Sequence, residues 1–210
     1  MATKEEHILL HAEQIIATQG YNGTSVRDIA AKAKVNISMI SYYFGSKEKL
    51  MEALFKWRMD SGIHFAQEIL ENPDYSEVEK IELILYNYVN RVKKLKNFYL
   101  IMQTQQVISQ NKIINDLLKN YRLRYIQLLQ LLIESGQEKG IFKNNPNLFF
   151  IHTTLTGTLF NAINGMQLYK DFADDEVSKL SEAKFKDYYF ENLFIHLKSL
   201  LKNLLGYENK

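Results

Sequence analysis

The sequence predicts an all-α chain of about nine helices, on three observations. Apolar residues recur at the 3.6-residue period over long stretches, and nowhere do they alternate as a half-buried strand requires. Both prolines, Pro73 and Pro146, and most glycines fall between those stretches. Several stretches open on a capping box, in which a hydroxyl residue stands three positions before an acid: Thr3 and Glu6, Ser25 and Asp28, Ser76 and Glu79.

Taken in order, the first helix runs from about Lys4 to Gln19, with Ile8, Ala12, Ile15 and Ile16 as its core stripe. The Ser25 box opens a second helix whose apolar face is Val26, Ile29, Ala30 and Ala33. Asn36 caps a third, with Ile37, Ile40 and Phe44 inward, and Gly45 stops it. Ser46 caps the fourth, with Glu48 in the first turn, where the helix dipole favours a negative charge. Helices as short as the second and third are not stable alone. They need each other, and the pair has the size of a helix-turn-helix.

The fourth helix continues toward Leu70 with Leu50, Leu54 and Trp57 inward and Gly62 as a point of bending. Asn72-Pro73-Asp74 breaks the chain. The fifth helix carries Ile81, Ile84, Leu85, Tyr88, Val89 and Val92 as its apolar positions. It ends in Lys93-Lys94-Leu95-Lys96, bases that suit the negative end of the dipole. A short sixth helix spans Phe98 to Ile108, and a long seventh spans Asn115 to Lys139, closed by Gly140. Asn145 as cap and Pro146 at the first helical position open an eighth, through about Tyr169. An acidic loop from Phe172 to Leu180 precedes the last helix, Glu182 to Leu205.

Composition sets limits. The 210 residues are long enough for a substantial core, and no apolar run is long enough to span a membrane. The start, MATKEEHILL, lacks the basic and apolar regions of a signal peptide, so the expected location is cytoplasmic. The absence of cysteine excludes a disulfide framework, a thiolate zinc site and a cysteine nucleophile. His7 and His11 stand one turn apart, but Ile8 follows the first where a zinc-protease helix has Glu, and no third ligand is evident. They read as surface histidines, with no metal and no cofactor expected. The five histidines are scattered, and there is neither a Ser–His–Asp grouping nor a glycine loop to cradle phosphate, so an enzyme is not expected. Net charge is only +2, yet Thr24 to Leu50 holds Arg27, Lys32, Lys34, Lys47 and Lys49 against Asp28 and Glu48. That local basic excess suits a phosphate-facing surface.

The ordered set of signatures from the N-terminus to Leu50 resembles the tetracycline-repressor (TetR) family of bacterial regulators. Gly20-Tyr21 closes the first helix, Thr24-Ser25-Val26 opens the second and Asp28-Ile29-Ala30 lies inside it. Val35-Asn36 begins the recognition helix, Tyr42-Tyr43-Phe44 ends it, and Ser46-Lys47-Glu48-Lys49-Leu50 starts the fourth. Beyond Leu50 the likeness is weaker, carried by Glu138-Lys139-Gly140-Ile141-Phe142. The resemblance implies a helix-turn-helix DNA-binding domain over residues 1–48 and a helical ligand-binding and dimerisation domain over 49–210. It implies a homodimer on a palindromic operator in double-stranded DNA, released by a small-molecule effector.

Tyr43 and Lys47 match the family's phosphate contacts, Tyr42 a position facing backbone or base, and Thr24, Ser25 and Arg27 the edge of the second helix that touches DNA. Asn36 and Ser38 stand at the groove-facing start of the third helix, with Ile37 and Met39 at variable positions. Two departures follow. Lys34 stands where the family usually has glycine; at positive φ it costs on the order of 1 kcal/mol relative to glycine, unless a phosphate contact offsets it. With Ser41 where tyrosine or asparagine is frequent, the recognition helix carries no Arg or Lys. Base reading is then expected to lean on thymine methyls, short polar contacts and DNA shape.

The family places its ligand among the fourth to eighth helices. Polar handles on apolar helices there are Tyr86, Gln105, Tyr121, Tyr125, His152, Thr156 and Asn161, and the wealth of aromatics suggests a mostly apolar or planar ligand. The last two helices of each subunit form the family's four-helix dimer interface, here expected to use Phe149, Leu159, Phe190, Leu193, Phe194, Leu197 and Leu201. The competing reading is a DNA-bound scaffold whose C-terminal domain binds a protein partner.

Overall fold

The computed structural model describes residues 3–108 and 112–208. Ten helices occur among these described residues: α1 (Lys4–Gln19), α2 (Val26–Ala33), α3 (Ile37–Phe44), α4 (Lys47–Glu71), α5 (Glu77–Lys94), α6 (Lys96–Ile108), α7 (Lys112–Glu138), α8 (Leu148–Phe172), α9 (Asp175–Ser178) and α10 (Glu182–Leu205). No strand occurs among the described residues, and no helix there is long and apolar enough to cross a membrane.

The capping boxes at Thr3, Ser25 and Ser76 form with both reciprocal hydrogen bonds. Helix α4 runs unbroken through Gly62. Two boundaries depart from expectation. Asn147 caps α8, its Oδ1 accepting from the backbone N–H of Phe149 and Phe150 at 3.0 and 3.3 Å, so Pro146 lies before the helix and not at its first position. The acidic stretch holds the additional helix, α9, because the Asp174 carboxylate accepts from Val177 N–H at 2.9 Å and caps one turn.

The chain divides into two compact units. The first comprises the residues up to Ser61 with Asn97–Tyr121. Its core joins Ile8, Leu9, Ala12 and Ile16 to Ile29, Ile40, Leu50, Leu54 and Phe55, with Phe98, Ile114 and Leu118. Phe55 meets Phe98 edge-on at 5.3 Å. Glu13, 4 % exposed, pairs with Arg58 at 2.6 Å; burial pushes its carboxyl up, and the Arg58 hydrogen bond and charge oppose that. Tyr121 donates to Asp60 and ties α7 to α4.

The second unit comprises Gly62–Lys96 and the residues from Arg122 onward, with α10 packed on α5 and α8. Near the end of α7 the Phe142 ring lies on Gly136, where a Cβ would meet the ring at 2.2 Å. Gly140, at φ 68°, lets Ile141 and Phe142 N–H turn back onto the Gly136 carbonyl at 2.8 and 3.0 Å. The Tyr207 ring packs against Phe142 at 5.7 Å, and its hydroxyl donates to Glu82 at 3.3 Å.

Candidate functional site

Helices α2 and α3 leave one face of the first unit open. Ile40 and Phe44 point inward. The opposite side of α3 is open: Asn36, Ser38 and Ser41 are exposed, Ile37 is 42 % exposed and Tyr42 82 %. Ile37 therefore sits on the outer face, which corrects its expected inward position. Met39 is half-buried, and Tyr43 borders the open face, with Tyr42 edge-on at 5.2 Å. Asn36 Oδ1 accepts from Ser38 N–H at 2.9 Å and fixes the start of α3. Arg27 and Ser25 are exposed at the start of α2. The Ser25 hydroxyl donates to Asp28 at 2.6 Å, and this bond with the Ser25 N–H holds the Asp28 carboxyl below its usual range.

Two of the expected contact residues are turned inward. Thr24 is 1 % exposed, and its hydroxyl donates to the Gly20 carbonyl at 2.8 Å. Lys47 donates to the carbonyls of Tyr21 and Thr24 at 2.8 and 2.9 Å, with its ammonium 4.1 Å from the centre of the Tyr21 ring. Two of three ammonium protons are thereby taken up, and one remains for an outside anion. Lys47 is first a clamp on the α1–α2 turn. The Tyr21 hydroxyl donates to Glu48 at 3.3 Å, and burial with the Glu48 charge pushes it up to about 12.

Lys34 takes the left-handed conformation, φ 54° and ψ 42°. It is the sole non-glycine residue at positive φ among those described. Its N–H reaches Ala31 O at 3.2 Å and Val35 N–H reaches Ala30 O at 3.0 Å, the paired bonds of a Schellman ending. The turn keeps the geometry glycine would adopt, with lysine held in it.

In the second unit one cavity lies among α5, α7, α8 and α10. Ile81, Ile84, Leu85, Leu129, Ile133, Ile151, Leu155 and Leu201 line it, with polar atoms from Tyr88, Tyr125, His152 and Thr156. It offers about 20 Å³ to the centres of water-sized molecules, room for roughly one water. The Tyr125 ring lies 6.3 Å from His152 and 6.0 Å from Tyr88. The Thr156 hydroxyl donates to the His152 carbonyl at 2.8 Å. Burial, with the Arg122 charge second, pushes the His152 imidazole down to about 4, so it is neutral at pH 7.

Of the expected ligand residues, the cavity brings together Tyr125, His152 and Thr156. Tyr86 and Asn161 are exposed, Tyr86 against Phe194 at 5.2 Å. Gln105 and Tyr121 belong to the first unit, Gln105 buried there and Tyr121 bonded to Asp60. Tyr88 was readable only as an apolar position; its place one turn from Ile84 and Leu85 was the available signal. Of the expected interface residues, Leu159, Phe190, Leu197 and Leu201 are buried within the subunit, not on its surface. Leu193 and Phe194 are half-buried, and Phe149 is exposed. The apolar surface of α8 and α10 is formed by Phe149, Phe150, Leu168, Phe172 and Ile195, with Phe172 91 % exposed.

A short helix pair with one helix packed inward on two residues and open along the rest has the form of a helix-turn-helix. Residues 8–54 match the model of the bacterial regulatory proteins of the tetR family. A Bacillus subtilis protein described as a probable HTH-type transcriptional regulator, YttP, is 26 % identical over 155 residues, covering 72 % of each chain. The fatty acid degradation regulator FadR from Bacillus halodurans shares the fold, with TM-score 0.74 at 21 % identity over 99 % of both chains. FadR from Bacillus subtilis, solved in complex with stearoyl-CoA, gives TM-score 0.65 at 21 % identity, covering 90 % of this chain and 97 % of that one. Residues 8–54 are a DNA-binding domain of the tetR type, and the chain is a transcriptional regulator similar over most of its length to other regulators.

Proposed function

We propose that the protein is a cytoplasmic, ligand-responsive repressor that binds a near-palindromic operator as a homodimer and leaves it when a long apolar ligand binds the second domain. The observation that carries the DNA reading is the open face of α3, where Ile37 and Tyr42 stay exposed although apolar and aromatic. Ile37 and Met39 meet thymine methyls, Asn36 and Ser38 make short polar contacts, and Tyr42, Tyr43, Ser25 and Arg27 hold the backbone. The exposed residues of α8 and α10 pair across a two-fold axis, which presents two recognition helices about one DNA turn apart.

For the effector we propose an acyl chain carried by a thioester or carboxylate. The cavity wall is aliphatic, and the similarly folded FadR of Bacillus subtilis holds stearoyl-CoA. Present volume is far below the ~300 Å³ of ordinary ligand sites, so the ligand must part α5, α7, α8 and α10. That movement supplies the differential affinity that a population shift requires. The same small volume favours the second reading, in which the C-terminal domain closes on itself and binds a protein partner.

The test is site selection from random duplex DNA, followed by titration of the bound complex with long-chain acyl-CoA and fatty acid. Tyr42→Ala is the control variant, because Lys47→Ala would damage the turn itself. Recovery of a palindromic site, weakened binding by the variant and release by acyl ligand support the proposal. Absence of any enriched site from folded dimer sinks the DNA reading. Release by no acyl ligand moves the protein-partner reading to first place.

A further inference from the structure

A crevice runs between the first turns of α1 and the α2–α3 turn, lined by Lys4, His7, His11, Lys32, Lys34 and Asn36. Among the described residues no carboxylate lines it. Among the described residues none of the three lysines has an ion-pair partner. The His7 ring is anchored through Nε2 to the Ala33 carbonyl at 2.9 Å and stands edge-on to His11 at 4.5 Å. His11 Nδ1 is buried without a hydrogen-bond partner, so the floor has hydrogen-bonding capacity left over. Lys34 enters the crevice wall from its left-handed position, a conformation that costs on the order of 1 kcal/mol for a lysine. Uncompensated positive charge around a recess, held in part at the expense of backbone strain, is the chemistry of a phosphate site.

We propose that this crevice holds a backbone phosphate of the operator and extends the DNA interface from α3 onto α1, a reading that rests on the proposed DNA-binding function. The occupant is taken to be DNA because Asn36 and Met39, at the reading end of α3, also line the crevice. Lys4 and Lys32 supply most of the charge, and Lys34 fixes the inner edge. The phosphate carries no sequence information, so holding it raises affinity for every duplex equally.

The experiment measures affinity for a selected operator and for a random duplex against salt. Full-length wild type is compared with Lys4→Ala/Lys32→Ala and with Lys184→Ala, a control on α10. The expected result is a slope of log K on log[salt] reduced by about 0.9 for each phosphate that the variant no longer neutralises. Operator and random duplex should weaken by the same factor, with the Lys184 variant unchanged. An unchanged slope in the double variant, where wild type binds, overturns the inference and leaves the DNA reading intact. If wild type binds no duplex, both fall. The imidazole resonances of His7 and His11 are followed in parallel as inorganic phosphate and operator duplex are added. Shifts with free phosphate but none with duplex assign the crevice to a small anion and also overturn the proposal.

Discussion

Replacing Lys34 by glycine should make the protein more stable and its grip on DNA weaker. The left-handed conformation costs an L-residue about 1–2 kcal/mol, and Lys34 at φ 54° carries that cost. Glycine removes it but adds freedom to the unfolded chain, which returns about 0.5–1 kcal/mol. The net gain is about 0.5–1 kcal/mol, or about 1–4 °C in melting temperature for a chain of this size. Urea unfolding followed by fluorescence suits the measurement, because the single tryptophan, Trp57, lies on α4 within the first unit. Lys34→Ala keeps the Cβ and the strain while removing the charge, and it should match wild-type stability within about 0.5 kcal/mol. Both variants should bind operator more weakly, with salt slopes lower by about 0.9 for each phosphate released. A glycine variant no more stable than wild type refutes the strain argument. So does an alanine variant that gains as much as glycine. Unchanged DNA affinity in both variants would leave the strained lysine without the phosphate role argued for it.

Lys47→Met keeps the stem but removes both hydrogen bonds to the turn carbonyls and the ammonium over Tyr21. It should cost roughly 2–4 kcal/mol of stability, read in the same urea titration, since charged hydrogen bonds contribute about 1.5–3 kcal/mol each before the loss is shared. Gly136→Ala places a methyl 2.2 Å from the Phe142 ring. A loss of about 1–3 kcal/mol is expected, with partial rescue by Phe142→Leu in a double-mutant cycle of thermal melts. His152 titrates near 4 in the folded chain against an ordinary 6.5, because burial disfavours its cation. A depressed base stabilises the fold fully above pH 6.5 and loses that contribution as pH falls toward 4, where the unfolded chain binds the proton and the folded one does not. The stability of His152→Phe should therefore vary less with pH between 6.5 and 4 than that of wild type, by up to about 3 kcal/mol across the window. Equal slopes for the two proteins would show that His152 is not the group responsible.

Helix starts were legible where a cap residue was paired with an acid three positions on. Thr3, Ser25 and Ser76 each had an acid three residues on, which Thr24 beside Ser25 lacks, and each forms its box. At Asn144-Asn145-Pro146-Asn147 three asparagines competed, and the proline suggested the wrong one. Asn147 prevails because its side chain reaches two free N–H groups at once. The open face of α3 followed from periodicity, apart from Ile37, whose hydrophobicity argued for burial while its position placed it outside. The inward turn of Lys47 was hidden because its partners are backbone carbonyls of a turn more than twenty residues earlier, which carry no sequence signature. The cavity residues were half legible for a related reason. A polar atom on an apolar helix marks a candidate, but whether Tyr125 or Tyr121 faces the cavity depends on which unit that turn of α7 belongs to.

Helix α3, Ile37–Phe44, contains no charged side chain, whereas every lysine around the neighbouring crevice lies on α1, on α2 or in the turn after it. On the proposed interface the residues that choose a sequence and those that supply the positive charge are thus separable in inheritance. Substitutions at Ile37, Ser38 and Met39 that leave Tyr42 and Tyr43 in place would redirect the regulator to a different operator while its general hold on duplex DNA stayed nearly constant. A duplicated copy could then drift toward new target genes without passing through a form that lets go of the chromosome.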